Sequence, residues 1–238
     1  MYKRVVIKLS GEALAGNRDG HFDDNVIDRI TGQIAEIMQM GVQVSLVVGG
    51  GNFWRGRDAK DGMDRVKADQ IGMMATVMNA LYLSEAFRLR GIEAVIMTPL
   101  IVGVVTEQFS KPAALRYMQN GAIVIFAGGT GHPFFSTDTI TAIRAAELDC
   151  DALLFAKNVD GVYDSDPRNN GKARKLHNIT YREIITNDLK VIDIAASSIL
   201  EDRKLTSVIF GLDEPGGIVT AATGTDEEIY RIGTKVNV

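Results

Sequence analysis

The stretch Ala127 to Asp138, AGGTGHPFFSTD, governs how the rest of the chain reads. It follows Gly121 to Phe126, GAIVIF, a short apolar run rich in branched side chains that predicts a buried strand. Gly128, Gly129 and Gly131 carry no Cβ, so the backbone there can take positive φ and turn its N–H groups toward an anion. Thr130, Ser136 and Thr137 add hydroxyl donors. Asp138 to Leu148 has a helical pattern, and its unpaired N-terminal N–H groups and positive dipole end would face the same point. Strand, glycine turn and helix N-terminus in that order make a phosphate-binding plan. Glycines that only make a turn are the plainer alternative. Pro133 restricts the backbone, however, and Phe134 and Phe135 offer flat walls beside the donors, which a bare turn does not need.

Length and composition bound what this plan serves. With 238 residues the chain holds one large α/β domain or two small ones, and 46% hydrophobic with 24% charged residues is ordinary for a globular protein. A net charge of −4 argues against a nucleic-acid coat or a membrane-surface protein, which carry a basic excess. Any bound anion must then be held by local donors. The single cysteine, Cys150, cannot form an internal disulfide and reads as a small residue beside a strand rather than a nucleophile. The apolar run after Met1 is too short for a signal sequence, and no segment approaches the ~20 apolar residues of a membrane span, so a cytoplasmic location is expected.

Arg4 to Leu9 predicts a first buried strand running into Ser10, Gly11 and Glu12. Lys8 has two readings: a pleat residue facing water, or a cation at the strand's end that neutralises a phosphate. Asp24 to Met40 predicts a crossover helix with Ile27, Ile30, Ile34 and Ile37 at helical spacing, Asp23 or Asp24 as its cap and Gly41 as its stop. Val42 to Val48 is a second strand, and it ends in Gly49, Gly50 and Gly51. Glycine turns at three strand ends would lie along one edge of a parallel sheet, where open α/β folds bind ligands. Arg55 would add a planar cation there, or remain a solvated surface group.

Arg65 to Arg90 predicts one long helix, and Met73, Met74, Val77, Met78, Leu81, Tyr82 and Leu83 cover too much of it for a single core-facing stripe. Burial on two sides follows, within one chain or at a subunit interface, and a homo-oligomer is expected. Asp69 is either a first-turn acid favouring the dipole or an acceptor for a sugar hydroxyl. Further strands are expected at Ile92 to Thr98, Asp151 to Ala156, Ser207 to Phe210, Ile218 to Ala222 and Glu228 to Ile232, with helices at Lys111 to Asn120 and Ala195 to Lys204. Asp160-Gly161 and Asp166-Pro167 are turn signals of a hairpin between Lys157 and Pro167. No P-loop or Rossmann fingerprint occurs, and His21, His132 and His177 have no zinc spacing, so no metal ligand is assigned.

Taken together, Lys8 to Glu12 (KLSGE), Gly49 to Gly56 (GGGNFWRG), Asp69, Thr130 to Asp138 (TGHPFFSTD) and Asn158 to Pro167 (NVDGVYDSDP) resemble the amino-acid kinase family, and within it the bacterial UMP (uridylate) kinases. The resemblance spans essentially the whole chain, and its Thr-Gly-x-Pro-Phe-Phe stretch is specific to the uridylate branch. It implies a three-layer α/β/α sandwich with a mostly parallel central sheet, the carbamate kinase-like fold. It also implies one domain over residues 1–238, with a lobe of about 1–150 for the phosphate acceptor and one of about 151–238 for ATP. The implied reaction is ATP plus UMP giving ADP plus UDP, with Mg²⁺.

By the same resemblance Lys8, Arg55 and Asp138 are catalytic, with Asp138 orienting Lys8. Lys8, Leu9, Ser10, Gly11, Gly51 and Arg55 would hold ATP, with Asn158, Tyr163 and Asp166 around its adenosine. Gly50, Asp69, Thr130, Gly131, His132, Pro133, Phe134, Phe135, Ser136 and Thr137 would hold UMP. A homohexamer is implied, and so are GTP activation and UTP inhibition. Gly16 to His21 lies where some relatives bind GTP. The chemistry agrees, since a phosphate monoester with a second pKa of about 6 is already a nucleophile at pH 7 and needs no strong protein base. Two other readings remain: a kinase for glutamate, aspartate or carbamate on the same fold, and a non-catalytic nucleotide or oxoanion binder.

Overall fold

The protein was analysed as a computed structural model, which describes residues 1–16, 21–56, 59–165, 167 and 169–238. Its first strand, β1 (Arg4–Leu9), alternates in the way a strand covered on both faces must. Val5, Ile7 and Leu9 join one apolar cluster and Val6 the other. The same parity runs through β2 (Gln43–Val48), β5 (Ile123–Phe126) and β6 (Ala152–Lys157), so each is a near-continuous apolar run. Among the described residues these strands belong to one nine-stranded sheet. With β3 (Ala94–Thr98), β4 (Glu107–Gln108), β9 (Asn178–Thr180), β10 (Thr206–Gly211) and β11 (Gly233–Asn237), its order is β4-β3-β5-β2-β1-β6-β10-β11-β9. Every pairing in it is parallel except β10 with β11.

Helices cover both faces. On the Val5 side lie α2 (Asp24–Gln39), α3 (Arg65–Leu89), α8 (Gly217–Thr223) and α9 (Asp226–Ile232). On the Val6 side lie α4 (Lys111–Gln119), α5 (Thr137–Glu147), α6 (Tyr181–Thr186) and α7 (Ile194–Arg203). A short helix, α1 (Gly11–Leu14), follows β1 directly. The three-layer sandwich expected from the sequence is therefore observed. In α2 the Asp23 side chain accepts from Asn25 N–H, and Ile27, Ile30, Ile34 and Ile37 are buried, which settles the cap and confirms the stripe. Helix α3 buries Val77, Ala80, Leu83 and Phe87 on the sheet and leaves Ile71, Met74, Met78, Leu81 and Tyr82 partly exposed along its outer side.

The chain departs from expectation near its end. Ile218 to Ala222 and Glu228 to Ile232, expected as strands, lie in α8 and α9. In α8 Ile218, Ala221 and Ala222 recur at helical spacing and are buried, which outweighs the β-branched character of the run. For α9 a capping box, Thr225 with Glu228, starts the helix, and Ile229 and Ile232 form its buried side. The last strand is instead β11, entered at Gly233, where a Cβ would stand 2.1 Å from the Ile209 carbonyl oxygen. The hairpin expected within Lys157 to Pro167 is wider: β7 (Val162–Tyr163) pairs antiparallel with β8 (Lys175–Leu176). Among the described residues no helix is long and apolar enough to cross a membrane.

Cys150 precedes β6 and is 4% exposed, and desolvation pushes its thiol up to about 12. Its thiolate is thus favoured by unfolding, so this group contributes full stability below its ordinary pKa of about 8.5 and loses it as pH rises toward 12. Iodoacetamide at pH 8 is expected to leave the folded protein unmodified over an hour and to alkylate it within minutes in urea, read by intact mass.

Candidate active site

Because side chains alternate along a strand, Lys8 shares the face of Val6, and Lys157, the last residue of β6, shares that of Leu153 and Phe155. Strands β1 and β6 are parallel neighbours with Lys8 opposite Phe155, so both lysines end on the same face at the carboxyl edge. Helix α5 crosses that face, and its first turn brings Asp138 between them. Lys157 Nζ donates to Asp138 Oδ2 at 2.7 Å, and Lys8 Nζ stands 3.4 Å from Oδ1. Burial pushes the Asp138 carboxyl up, but the two ammonium groups outweigh it and hold Asp138 below the usual carboxylate value. Burial, against the attraction of Asp138, lowers the Lys157 pKa. Lys8 is thus no solvated pleat residue, being 9% exposed.

The turns after β1 and β2 touch through their backbones. A Cβ on Gly11 would lie 2.5 Å from Gly49 O and 2.7 Å from Gly51 N, and one on Gly50 would meet Gly72 O of α3 at 2.9 Å. These glycines serve close approach. Two buried polar residues of α3 then fix the turns: Asn79 donates to Gly49 O at 2.6 Å and exchanges side-chain hydrogen bonds with Asn52. Thr76 Oγ1 accepts from Gly128 N–H at 2.7 Å.

In the third turn Gly128, Gly129 and Gly131 all take positive φ, of 77°, 57° and 79°, as their sequence suggested. Phe134 also has φ of 73°, a conformation costly for a side chain with a Cβ, and its N–H donates to Asp69 Oδ2 at 2.9 Å. Asp69 Oδ1 accepts from Arg65 Nε at 2.9 Å. Asp69 therefore pins the glycine turn to α3. The Ser136 hydroxyl caps α5, accepting from Asp138 N–H at 3.0 Å, and donates to Asp193. Between this turn and Gly50 lies a cavity of about 240 Å³ whose wall includes Asp69, Thr130, His132, Phe135, Ser136 and Thr137. Trp54, Met73 and Thr76 line it as well. Gly131, Pro133 and Phe134 stand outside that wall, and Phe134 is 67% exposed.

Across the lysine pair, Asn158 and Tyr163 line a second cavity of about 460 Å³ together with Lys157 and Leu212. The Tyr163 hydroxyl donates to Asp160 at 2.9 Å. Asp166, expected here, lies outside the described residues, as does most of Gly16 to His21. Arg55 pairs with Glu12 at 2.6 Å beside the Gly51 turn, and the Leu9 side chain is wholly buried in the core. Gly11, Gly51 and Arg55 thus meet around Gly49 and Glu12, while Lys8 is held at Asp138.

A sequence profile of the amino acid kinase family matches residues 3–211, most of the chain. The chain belongs to the amino acid kinase family. Solved structures similar to this family member include a UMP kinase from Bacillus anthracis, with 38% identity, TM-score 0.93, and coverage of 99% of this chain and 96% of that one. A UMP kinase from Ureaplasma parvum is 35% identical with TM-score 0.90 and full coverage of both chains. A uridylate kinase from Archaeoglobus fulgidus is 26% identical, with TM-score 0.74 and coverage of 98% and 99%.

Within this amino acid kinase fold, sequence reasoning missed Lys157, Thr76, Asn79, Trp54 and Asp193. Thr76 and Asn79 had a signal: polar side chains in an otherwise apolar helical stretch need buried partners. Lys157 had one in the alternation of β6.

Replacing Gly11 by alanine should force the first two turns apart, because the Cβ meets backbone rather than a yielding side chain. Thermal unfolding is expected to show a loss of about 1–3 kcal/mol with the fold retained, and phosphoryl transfer to fall at least tenfold.

Proposed function

We propose that the chain is a UMP kinase, transferring the γ-phosphoryl group of ATP to UMP to give ADP and UDP. The observation that carries this reading is its full-length likeness, at 38% and 35% identity, to two proteins each described as a UMP kinase. The geometry supports it through two cavities, one lined by Thr137, next to Asp138, and the other by Lys157, which bonds Asp138.

In this reading UMP occupies the cavity between Gly50 and the Thr130 to Thr137 turn, with its phosphate toward the N-terminus of α5. Asp69 accepts a ribose hydroxyl with lone pairs left over after Arg65 and Phe134 N–H. ATP lies on the other side of the lysine pair, its adenosine toward Asn158 and Tyr163, and its phosphates against Lys8 and the backbone N–H groups of Ser10, Gly11 and Gly51. Arg55 reaches the ATP side from its pairing with Glu12. Two like unit charges 4 Å apart repel by roughly 4 kcal/mol at an effective dielectric of 20, so bringing two polyanions together is the main electrostatic cost. Lys8, the turn N–H groups and the α5 dipole are arranged to offset it.

Mg²⁺ enters with ATP. Such ions are usually bound by substrate phosphates and water with one or two carboxylates, and the carboxylate nearest Lys8, Asp138, is already held by two lysines. The residues present fit an ion carried mainly by the nucleotide, which supplies charge neutralisation of the phosphates.

The chain works as one domain, its N-terminal lobe holding the acceptor and its C-terminal lobe ATP. Its place is cytoplasmic pyrimidine nucleotide biosynthesis, with GTP as activator and UTP as inhibitor. The exposed apolar stripe of α3, Ile71, Met74, Met78, Leu81 and Tyr82, supports a homo-oligomer, a hexamer by resemblance.

ADP release from ATP and Mg²⁺ is to be measured against UMP, CMP, AMP, glutamate, aspartate and carbamate. Turnover is expected with UMP, whereas turnover with an amino acid or carbamate alone would overturn the acceptor assignment, and none at all would favour a binder. Lys8→Ala should lower kcat by about 10²–10³-fold while KM for UMP changes less than about threefold, and an unchanged kcat removes Lys8 from the transition state. Met78→Glu places a charge in the apolar stripe and should shift sedimentation of the protein toward the monomer.

A further inference from the structure

Lys157 is a buried cation without a place in the reading so far. Its side chain is 15% exposed, and an ammonium that far from water persists only where partners hold it. It has two. Besides Asp138 Oδ2 at 2.7 Å, it donates to the Val191 carbonyl, just ahead of α7. Two residues on, Asp193 accepts from the Ala196 N–H at 2.8 Å, from Thr139 Oγ1 at 2.9 Å and from the Ser136 hydroxyl. The first turn of α5 is therefore held at Ser136, Asp138 and Thr139 by one segment, and Lys157 ties that segment to the end of β6. Lys157 also lines both the cavity with Asn158 and Tyr163 and a third one, of about 610 Å³, that reaches Phe135 and Asp138.

We propose that Lys157 is a positioning residue for phosphoryl transfer, which holds Asp138 through one carboxylate oxygen so that the other steers Lys8 without capturing it. The proposal rests on Lys8 acting at the transferred group. At 3.4 Å the Lys8 contact is longer than a charge-assisted hydrogen bond, and Asp138 Oδ1 has no hydrogen-bond partner among the described residues. Two ammonium groups on one carboxylate leave a unit of positive charge for the phosphates. The other carboxylate facing this cluster, Asp193, is already met by its own three donors. Without Lys157, Lys8 becomes the sole counter-ion of a buried carboxylate, is drawn into a closer pair and is less available to the phosphoryl group.

The groups facing the Asp138 carboxylate are Lys8 from β1 and Lys157 from β6; the Ser136 hydroxyl accepts from the Asp138 N–H, and the Thr139 hydroxyl donates to Asp193, behind Lys157. Burial raises the Asp138 pKa and the two lysines lower it, so losing one lysine moves it up. Activity that needs ionised Asp138 then fails at a higher pH as acid is added.

The test uses the whole chain with ATP, Mg²⁺ and UMP, and compares wild type, Lys8→Ala, Lys157→Gln, Lys157→Arg, Asp138→Asn and the Lys157→Gln/Asp138→Asn double variant. Lys157→Gln is expected to lower kcat about 10- to 100-fold with KM for UMP within about threefold, and to move the acid limb of kcat to higher pH. Lys157→Arg should recover part of the loss, and the double variant should be no slower than Asp138→Asn alone. Unchanged kcat in Lys157→Gln, or a double variant slower than Asp138→Asn by the full factor of the single change, overturns the proposal. If Lys157→Gln fails to fold, the comparison of Asp138→Asn with the double variant, neither of which holds a buried carboxylate short of a lysine, decides alone. A wild type inactive on UMP, or an unimpaired Lys8→Ala, overturns the underlying reading and this proposal with it. An impaired Lys8→Ala beside a normal Lys157→Gln overturns this proposal only.

Discussion

One buried carboxylate shared by two lysines sets the terms for the rest of the molecule. Removing three charges from water costs several kcal/mol per ion, so such a cluster survives only where the backbone places its members without choice. Here it does: Lys8 and Lys157 end adjacent parallel strands on one face, and Asp138 sits in the first turn of the helix that crosses them. The register of β1 on β6 is therefore a functional constraint as well as a packing one. A slip of one residue in either strand would send its lysine into the opposite apolar layer.

Around that cluster the protein makes room by omitting side chains. Gly11 and Gly49 let two turns meet at backbone distance, while Gly128, Gly129 and Gly131 take positive φ to curl the third turn over the cavity beside Gly50. Bare backbone is also the cheapest way to aim many N–H groups at an anion in a chain of net charge −4. The turns are not left loose. Thr76 and Asn79, on the sheet side of α3, supply the hydrogen bonds that hold Gly128 and Gly49.

Helix α3 thus serves three masters with one sequence. Its inner side packs on the sheet, its polar residues anchor two turns, and Asp69 near its start pins a third point, the Phe134 N–H. The outer stripe of Ile71, Met74, Met78 and Leu81 stays exposed in the single chain. An assembly that covered this stripe would press on the helix that anchors the Gly49 and Gly128 turns.

Much of this was legible in the chain itself. The parallel core strands, the helices between them and the glycine turns at their ends follow from local pattern, because strand parity, helix spacing and the freedom of glycine act within a few residues. Lys8, Asp138 and the Thr130 to Thr137 turn stood out for the same reason. Where two local signals competed, the sequence misled: the branched runs at Ile218 to Ala222 and Glu228 to Ile232 favour strands, and only burial of their helical faces against the first core layer decides for α8 and α9. The partnership of Lys8, Asp138 and Lys157, and the grip of Thr76 and Asn79 on the turns, belong to tertiary structure alone. Charge and hydrogen-bond partners act across a few ångströms of space, and residues up to 149 positions apart in the chain come within that range only once the sheet has ordered its strands.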